Sequence, residues 1–463
     1  MTVFVFFAVV LTVLGLIHLY LWKRLVRDPL RPGPARWIGG GVITLLAVLV
    51  PVTLVLTTGG RSQLLGWVGY LWLAVMFYLL VTLLVLEVPR LLIGLRMRRR
   101  AAADGRRADE PVTAAASVPV PSQDTGTHDA PAHDVPAHDT SARGPEGQAP
   151  EGRARQGRET SAATGPAPAA ASPNGDAGTG PAGPGPERAG VDRRLLLARG
   201  AAIFAGLTAA SVTGYGVRTA LGPPQLDRVQ IPLAKLPRAL DGTRFAVVSD
   251  IHLGPLSASH HVGRIVDMIN SLDADVVCIV GDLVDGSVAE LGRYAEPLAR
   301  IRSRQGAYFV TGNHEYYRPD YQDWVAEVAR LGVRPLQNER VALGALDLAG
   351  VNDVAGKAYG QGPDFGKALG GRDTSRPVVL LAHQPSQVRE AAEFGVDLQL
   401  SGHTHGGQMV PFNLIVGLNQ PVVSGYGKID GVPLYVTNGA GFWGPPVRVG
   451  APPQVTLVEL RTP

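Results

Sequence analysis

Five short blocks carry most of the chemistry in this chain of 463 residues: Asp250-Ile251-His252, Gly281-Asp282-Leu283-Val284-Asp285, Gly312-Asn313-His314-Glu315, Ala382-His383 and Gly402-His403-Thr404-His405. They offer carboxylate, amide and imidazole ligands and no thiolate. Such a mixed oxygen and nitrogen set suits manganese, iron or zinc better than soft metals, and it holds too many imidazoles for a calcium or magnesium cage. Asp250 and His252 are two positions apart, as are His403 and His405, so in extended backbone each pair addresses one small volume. Asp282 follows Gly281, where a turn can bring its carboxylate close to two cations. Asn313 and His383 add a neutral oxygen and a neutral imidazole. These ligands are too many for one tetrahedral ion and suit two divalent ions that share a carboxylate. Ions about 3.5–4 Å apart clamp a phosphoryl group, supply a hydroxide at neutral pH and offset charge on the leaving oxygen. The chemistry implied is hydrolysis of a phosphate ester by in-line attack.

Nearly every block follows a short run of Val, Ile, Leu, Phe or Ala, as buried strands ending at a site do. Strands are predicted over 245–249, 275–280, 307–311, 378–382, 397–401, 434–437 and 454–460. Helices are predicted over 258–271, 288–301, 321–331 and 385–394. The alternation argues for an α/β domain with ligands at the carboxyl ends of strands. The later, more purely strand-like segments argue for a second sheet packed on the first, with helices outside. Cys278, the single cysteine, lies in the apolar run 276–280 and reads as a buried strand residue. It excludes an intramolecular disulfide and any Cys-rich zinc site. His260 and His261 open a helix and read as solvated. Tyr316 and Tyr317 suit either a cleft wall or packing.

The elements that hold this domain in place come first in the chain. Apolar runs free of Asp, Glu, Lys and Arg cover 3–22, 37–57 and 66–86, each near the ~20 residues that a helix needs to cross a bilayer. Lys23, Arg24, Arg27, Arg31 and Arg36 separate the first two, Arg61 alone separates the second and third, and Arg90, Arg96, Arg98, Arg99 and Arg100 follow. Basic residues stay cytoplasmic, so the N-terminus is expected outside and the chain inside after the third span. Residues 101–192 are Ala, Pro, Gly, Ser and Thr with scattered charges and no aromatic residue. They cannot bury enough apolar area to offset the entropy of ordering, and read as a disordered cytoplasmic linker. Its His128-Asp129, His133-Asp134 and His138-Asp139 repeat reads as low-complexity slippage rather than a metal tract. A fourth apolar run, 200–217, follows Arg193, Arg194 and Arg199, which places everything after Arg218 outside. Arg193-Arg194-Leu195-Leu196-Leu197 resembles a twin-arginine export signal. No small-residue cleavage site follows, so the segment is expected to remain as an anchor. The expected domains are three transmembrane helices (1–100), the linker (101–192), a fourth transmembrane helix (193–218) and a catalytic domain (219–463). The net charge of +4 averages over these unlike parts. No basic face with interleaved aromatics is present, so nucleic acid is not an expected partner.

The order Asp-x-His, Gly-Asp-x-x-Asp, Gly-Asn-His-Glu, His and Gly-His-x-His over 240–410 resembles the calcineurin-like metallophosphoesterases. The extended Ser401-Gly402-His403-Thr404-His405-Gly406-Gly407-Gln408 resembles a bacterial membrane-anchored branch, which includes transmembrane proteins with a metallophosphoesterase domain. The resemblance implies a two-sheet α/β-β/α metallophosphoesterase sandwich, here preceded by transmembrane helices. It implies that Asp250, His252, Asp282 and His405 hold one metal, with Asp282 bridging to a second that Asn313, His383 and His403 complete. His314 would be the general acid at the leaving oxygen, or a donor to the phosphate. Asp285 and Glu315 would orient the ligands or His314; for Asp285 a helix N-cap is the alternative. The Gly-rich stretch 438–444 would close over the site, with Arg448 a candidate phosphate contact.

The function expected is metal-hydroxide attack on phosphodiester or pyrophosphate bonds of a lipid-linked or cell-envelope substrate, at the outer face of the plasma membrane. The branch is linked by similarity to enzymes that cleave UDP-2,3-diacylglucosamine. A nucleotide-linked sugar lipid belongs on the cytoplasmic side, against the expected topology. A reading of another class is a membrane scaffold or sensor whose first three spans bind a partner. The intact ligand set argues against a dead enzyme, and those spans carry no charged residue that would mark a transport path.

Overall fold

Apolar sequence without breakers becomes long helix. The computed structural model describes residues 2–57, 63–108, 186–254, 256 and 259–463. The His/Asp repeat and most of the expected linker lie outside them. The chain divides into two units, Met1–Leu95 with Pro186–Pro463, and Arg96–Gly185. In the second unit the described residues, 96–108, are helical.

In the first unit, α1 (Thr2–Leu21) passes into a π-helical stretch, Trp22–Arg27. It is followed by α2 (Pro34–Thr57), α3 (Gln63–Ala108, whose last turns belong to the second unit) and α4 (Pro186–Leu221). Four segments, Phe7–Arg27, Pro34–Leu56, Leu64–Arg96 and Arg193–Leu221, are long and apolar enough to cross a membrane. They make the chain a membrane protein. Arg24 pairs with Asp28 at 2.8 Å and with Glu87 of α3 at 2.7 Å, and Arg199 of α4 donates to the Pro29 carbonyl at 3.1 Å. The basic ends of the first, third and fourth apolar helices therefore meet.

The catalytic half is two mixed sheets. The first has β1 (Gln225–Pro232), β2 (Arg244–Val248), β3 (Val276–Val280), β4 (Ala307–Val310) and β5 (Arg334–Pro335), with β12 (Gln454–Arg461) between β1 and β2. The second has β6 (Glu339–Leu343), β7 (Leu346–Gly350), β8 (Val378–Leu381), β9 (Leu398–Ser401), β10 (Gly425–Ile429) and β11 (Val432–Val436), in the order β10-β11-β9-β8-β7-β6. β2 to β5 run parallel, as do β7, β8, β9 and β11. Alternation along each strand divides its side chains between two cores. Val276, Cys278 and Val280 join Leu348, Val379 and Leu400 between the sheets. Val277 and Ile279 face outward onto α5 (Ser259–Ser271), α6 (Val288–Ala295) and α7 (Tyr321–Arg330). Leu380 and Leu434 meet α8 (Phe365–Leu369) and α9 (Val388–Glu393) on the far side. The result is the expected layering of helices, sheet, sheet and helices. All the predicted strands form; β1, β5, β6, β7 and β10 were not foreseen.

Candidate metal centre

The ligand blocks sit just beyond β2, β3, β4, β8 and β9, at carboxyl ends that both sheets bring to one edge. Extended alternation is not what converges the pairs. Asp250 (φ 52°), His252 (47°), Asp282 (52°), His403 (72°) and His405 (52°) all adopt left-handed backbone. Each such residue costs roughly 1–3 kcal/mol and needs surroundings that over-determine it. Here the ladder between β2 and β3 continues past the strands: Asp250 N donates to Gly281 O at 3.0 Å, His252 N to Asp282 O at 3.1 Å and Leu253 N to Leu283 O at 2.8 Å. Gly281 (φ 78°) is required by space as well, because a Cβ there would lie 2.6 Å from both Gly312 N and His383 Nδ1.

These turns gather the side chains into three overlapping groups: Asp250, His252 and His405; His252, Asp282 and His314; and Asp282, His383 and His403. His405 Nε2 is 3.3 Å from Asp250 Oδ1, and His383 Nε2 is 3.2 Å from Asp282 Oδ2. His252 Nε2 faces His405 Nε2 at 3.0 Å and lies 3.8 Å from Asp282 Oδ2. Asp282 belongs to two of the groups, as a shared carboxylate would.

The donor set fits divalent cations. His383 Nδ1 donates to the Val280 carbonyl at 2.8 Å, which leaves its Nε2 as a lone pair. That nitrogen and Asn313 Oδ1 are buried without a hydrogen-bond partner. Asn313 is oriented by Tyr317, whose hydroxyl accepts from Nδ2 at 2.8 Å. Burial opposes charge on His383, but the Asp282 carboxylate outweighs it and raises the imidazole well above its ordinary range. The Asp282 carboxylate thus favours positive charge at this position, which a bound cation would supply. Burial, with His383 beside it, lowers His403 to about 4, which keeps that imidazole neutral and able to ligate. Asp250 and Asp282 are held below the usual carboxylate range because their histidine neighbours overcome desolvation. The clustered Asp and His side chains form a divalent metal site.

His314 lies at the rim. Its amide donates to Asp282 Oδ1 at 2.9 Å and its Nδ1 meets Asp285 Oδ1 at 2.6 Å. Burial alone would lower its pKa, but Asp282 and Asp285 raise it to about 9. Asp285 Oδ1 also accepts from His252 Nδ1 at 2.9 Å, so one carboxylate oxygen orients both imidazoles. The N-cap alternative for Asp285 fails, since Ser287 caps α6 in a capping box with Glu290. Glu315 holds the ligand turns. Its carboxylate accepts from the amides of Asp282 (3.1 Å), Leu283 (2.8 Å) and Gly312 (2.5 Å), which ties the two ligand turns together.

Arg448 is not a phosphate contact. Its side chain is wholly buried and donates to the carbonyls of Gly441, His405, Asn438 and Ala451 and to His405 Nδ1. An arginine in that number of backbone bonds has no face left for substrate. His261 is likewise buried rather than solvated, with Nε2 on the Ala440 carbonyl at 3.1 Å; His260 is exposed. Tyr316 packs, with its hydroxyl on Thr311 at 3.1 Å, whereas Tyr317 is 64% exposed and lines the cleft. The Gly-rich stretch does reach the site. Gly441 N donates to Asp250 O at 2.8 Å, and the Trp443 ring stands 6.2 Å from that of His314. The sequence signal missed was Asn313 and Tyr317 at i and i+4 around one tight turn.

Two mixed sheets with Asp, Asn and His converging at their strand ends define a metallophosphoesterase. Residues 243–407 match the family described as calcineurin-like phosphoesterase, and the chain belongs to that family. It is 38% identical over 272 residues to a transmembrane protein with metallophosphoesterase domain of Danio rerio, covering 56% of this chain and 62% of that protein. It is 39% identical over 256 residues to an uncharacterized metallophosphoesterase of Helicobacter pylori (54% of this chain, 68% of the relative). An uncharacterized metallophosphoesterase of Aquifex aeolicus is 33% identical over 244 residues (51% and 92%). The match thus spans less than two thirds of the Danio rerio protein's length.

Proposed function

We propose that the chain is a membrane-anchored phosphohydrolase that uses two divalent cations to cleave phosphodiester or pyrophosphate bonds of a lipid-linked or cell-envelope substrate. The observation that carries this reading is the pair of buried, unpartnered acceptors, Asn313 Oδ1 and His383 Nε2. Asp250, His252 and His405 would hold one ion, Asn313, His383 and His403 the other, and Asp282 both. Bound there, the ions would polarise the phosphoryl group and lower the pKa of a water. His314, whose Nδ1 is held by Asp285, would give the proton on its other ring nitrogen to the leaving oxygen as the phosphorus–oxygen bond breaks. Asp285 keeps that imidazole in place.

The division into three transmembrane helices (1–100), a cytoplasmic linker (101–192), a fourth helix (193–218) and a catalytic domain (219–463) belongs to the same proposal. The meeting of the basic ends of the first, third and fourth apolar helices supports a shared cytoplasmic side and an outward-facing catalytic domain in the plasma membrane. The test of the chemistry is hydrolysis of bis(p-nitrophenyl) phosphate by the purified full-length protein. Manganese should support turnover, and Asp282→Asn and His403→Ala should abolish it. Turnover that needs no metal, or survives Asp282→Asn, sinks the reading. A reporter fused after Pro463 that is active only in the cytoplasm sinks the topology.

A further inference from the structure

The spanning helices do more than border the catalytic domain. A cavity of about 500 Å³ has Asp282, Asn313 and His403 at one end. Its wall continues over Leu73, Met76 and Phe77 of α3, which is one of the membrane-crossing segments. The facing wall comes from the segment that follows the last ligand, through Phe412 and Ile415 at α10 (Asn413–Val416). The rings of Phe77 and Phe412 meet edge to face at 6.4 Å and join the two walls. Among the described residues, no Lys or Arg lines this cavity. The lining is mostly apolar but includes Thr404, Gln408, Asn419 and Gln420; a second anionic group lodged there would lose its water without gaining a charged partner, whereas a hydrocarbon chain loses nothing by leaving water. The adjoining cavity of about 640 Å³ meets the first at His314, Tyr317 and Trp443 and does contain a cation, Arg318. The reaction centre therefore stands between an apolar space and one that is partly polar. Beside the apolar space, Leu414 is 69% and Leu418 87% exposed, and no charged residue lies between His405 and Lys428. That surface suits contact with lipid rather than water.

We propose that the smaller cavity is the subsite for a hydrocarbon chain of the substrate, and that the third apolar helix is one of its walls. The substrate class is then an amphiphile whose phosphoester lies beside the metal ligands and whose chain runs between Phe77 and Phe412. This rests on the phosphohydrolase reading. It also gives the N-terminal helices a part in binding that simple anchoring does not need.

The test uses the full-length protein in phosphatidylcholine nanodiscs with manganese, and two probes, methyl and dodecyl p-nitrophenyl phosphate diesters. Water adds to phosphorus, the bond to p-nitrophenol breaks, and the alkyl phosphate is the second product. The readout is the dodecyl-to-methyl ratio of kcat/KM. Partition into the disc raises the dodecyl probe's local concentration equally for every variant, so changes in the ratio between variants report the cavity. Met76→Trp and Ile415→Trp, which fill it, should each lower the ratio on the order of tenfold, as losing about two buried methylenes would. An unchanged ratio in both overturns the proposal. A second measurement needs no variant. A dodecyl diester with a terminal diazirine should crosslink the wild-type protein within 73–77 or 409–416. Crosslinks confined to outward residues such as Leu45 and Leu207 overturn the proposal. If the methyl diester is not hydrolysed with any metal, the phosphohydrolase reading fails, and crosslinking alone then decides the chain subsite.

Discussion

Tyr317 decides which way Asn313 faces. Its hydroxyl accepts from Asn313 Nδ2 at 2.8 Å, so the amide oxygen points into the pocket, buried and without a protein partner. Groups that orient metal ligands typically contribute about 10–100-fold to affinity or activity. Tyr317→Phe should therefore weaken manganese binding about tenfold in a calorimetric titration. The side chain is largely exposed, so the thermal midpoint of the apoprotein should hardly move. An unaltered titration would mean that Asn313 needs no such partner.

Asp285 Oδ1 accepts from both His252 Nδ1 and His314 Nδ1. Asp285→Asn keeps one acceptor oxygen but removes the charge, so both imidazoles are left with a weaker, neutral partner. We expect kcat/KM on a phosphodiester to fall by up to about 100-fold. Asp285→Ala should be no better, because the orienting bonds and not the packing are lost. A variant within threefold of wild type, roughly 0.7 kcal/mol, would exclude this role.

Cations binding only the folded state stabilise it by mass action, about 2.7 kcal/mol at 100 times the dissociation constant. The effect should be strong here because Asp250 and Asp282 are both buried. Dialysis against a chelator should lower the thermal midpoint and abolish hydrolysis, and added manganese should restore both. In Asp282→Asn the midpoint should respond to manganese much less.

His261 provides a pH signature away from the metal ligands. Burial, reinforced by Arg264, lowers its imidazole from 6.5 to about 4, while its Nε2 sits on the Ala440 carbonyl. The folded state thus binds a proton less readily than the unfolded chain does. The contribution to stability is complete above pH 6.5 and is lost as pH falls towards 4, with an upper limit of about 3 kcal/mol. Thermal midpoints taken across this window should fall less steeply in His261→Gln than in the wild type. Parallel curves would show that His261 titrates normally.

The sequence displayed ligand chemistry better than ligand geometry. Asp, Asn and His types at strand ends are visible in the letters, and β2, β3, β4, β8 and β9 lie where the apolar runs put them. The left-handed turns at Asp250 and His405 are not visible, because Asp250 is held by backbone bonds to Gly281 and Gly441 and His405 by the Arg448 guanidinium on its carbonyl, all far along the chain. His261 reads as solvated and Arg448 as a phosphate contact for a related reason: the distant carbonyls that accept their hydrogen bonds are not visible in the sequence. The β6–β7 hairpin was missed although Gly344 (φ 59°) and Ala345 form its two-residue turn, a signal that strand-flanked glycine offers. Glu315 reads as orienting either the ligands or its neighbour His314, and only the fold decides for the ligands, since three amides of two separate ligand turns claim its carboxylate.

Arg448 offers the sharpest separation of structure from substrate binding. Its guanidinium is buried with no carboxylate among its hydrogen-bond partners, and desolvation lowers its pKa to about 10 although Asp250 offsets part of that. Its charge is therefore spread over backbone carbonyls, those of Gly441, His405, Asn438 and Ala451. Arg448→Met would leave these oxygens buried and unpaired, at about 1–3 kcal/mol for each that water cannot reach. Arg448→Lys keeps the charge, but its ammonium offers three donors where the guanidinium offers five in a fixed plane. The expected order of thermal midpoints is wild type, then Lys, then Met, with manganese affinity falling in parallel because His405 loses its brace. KM for a small diester should stay near the wild-type value in whatever fraction of Arg448→Lys is folded and metal-loaded. A raised KM with unchanged stability would instead return Arg448 to the substrate.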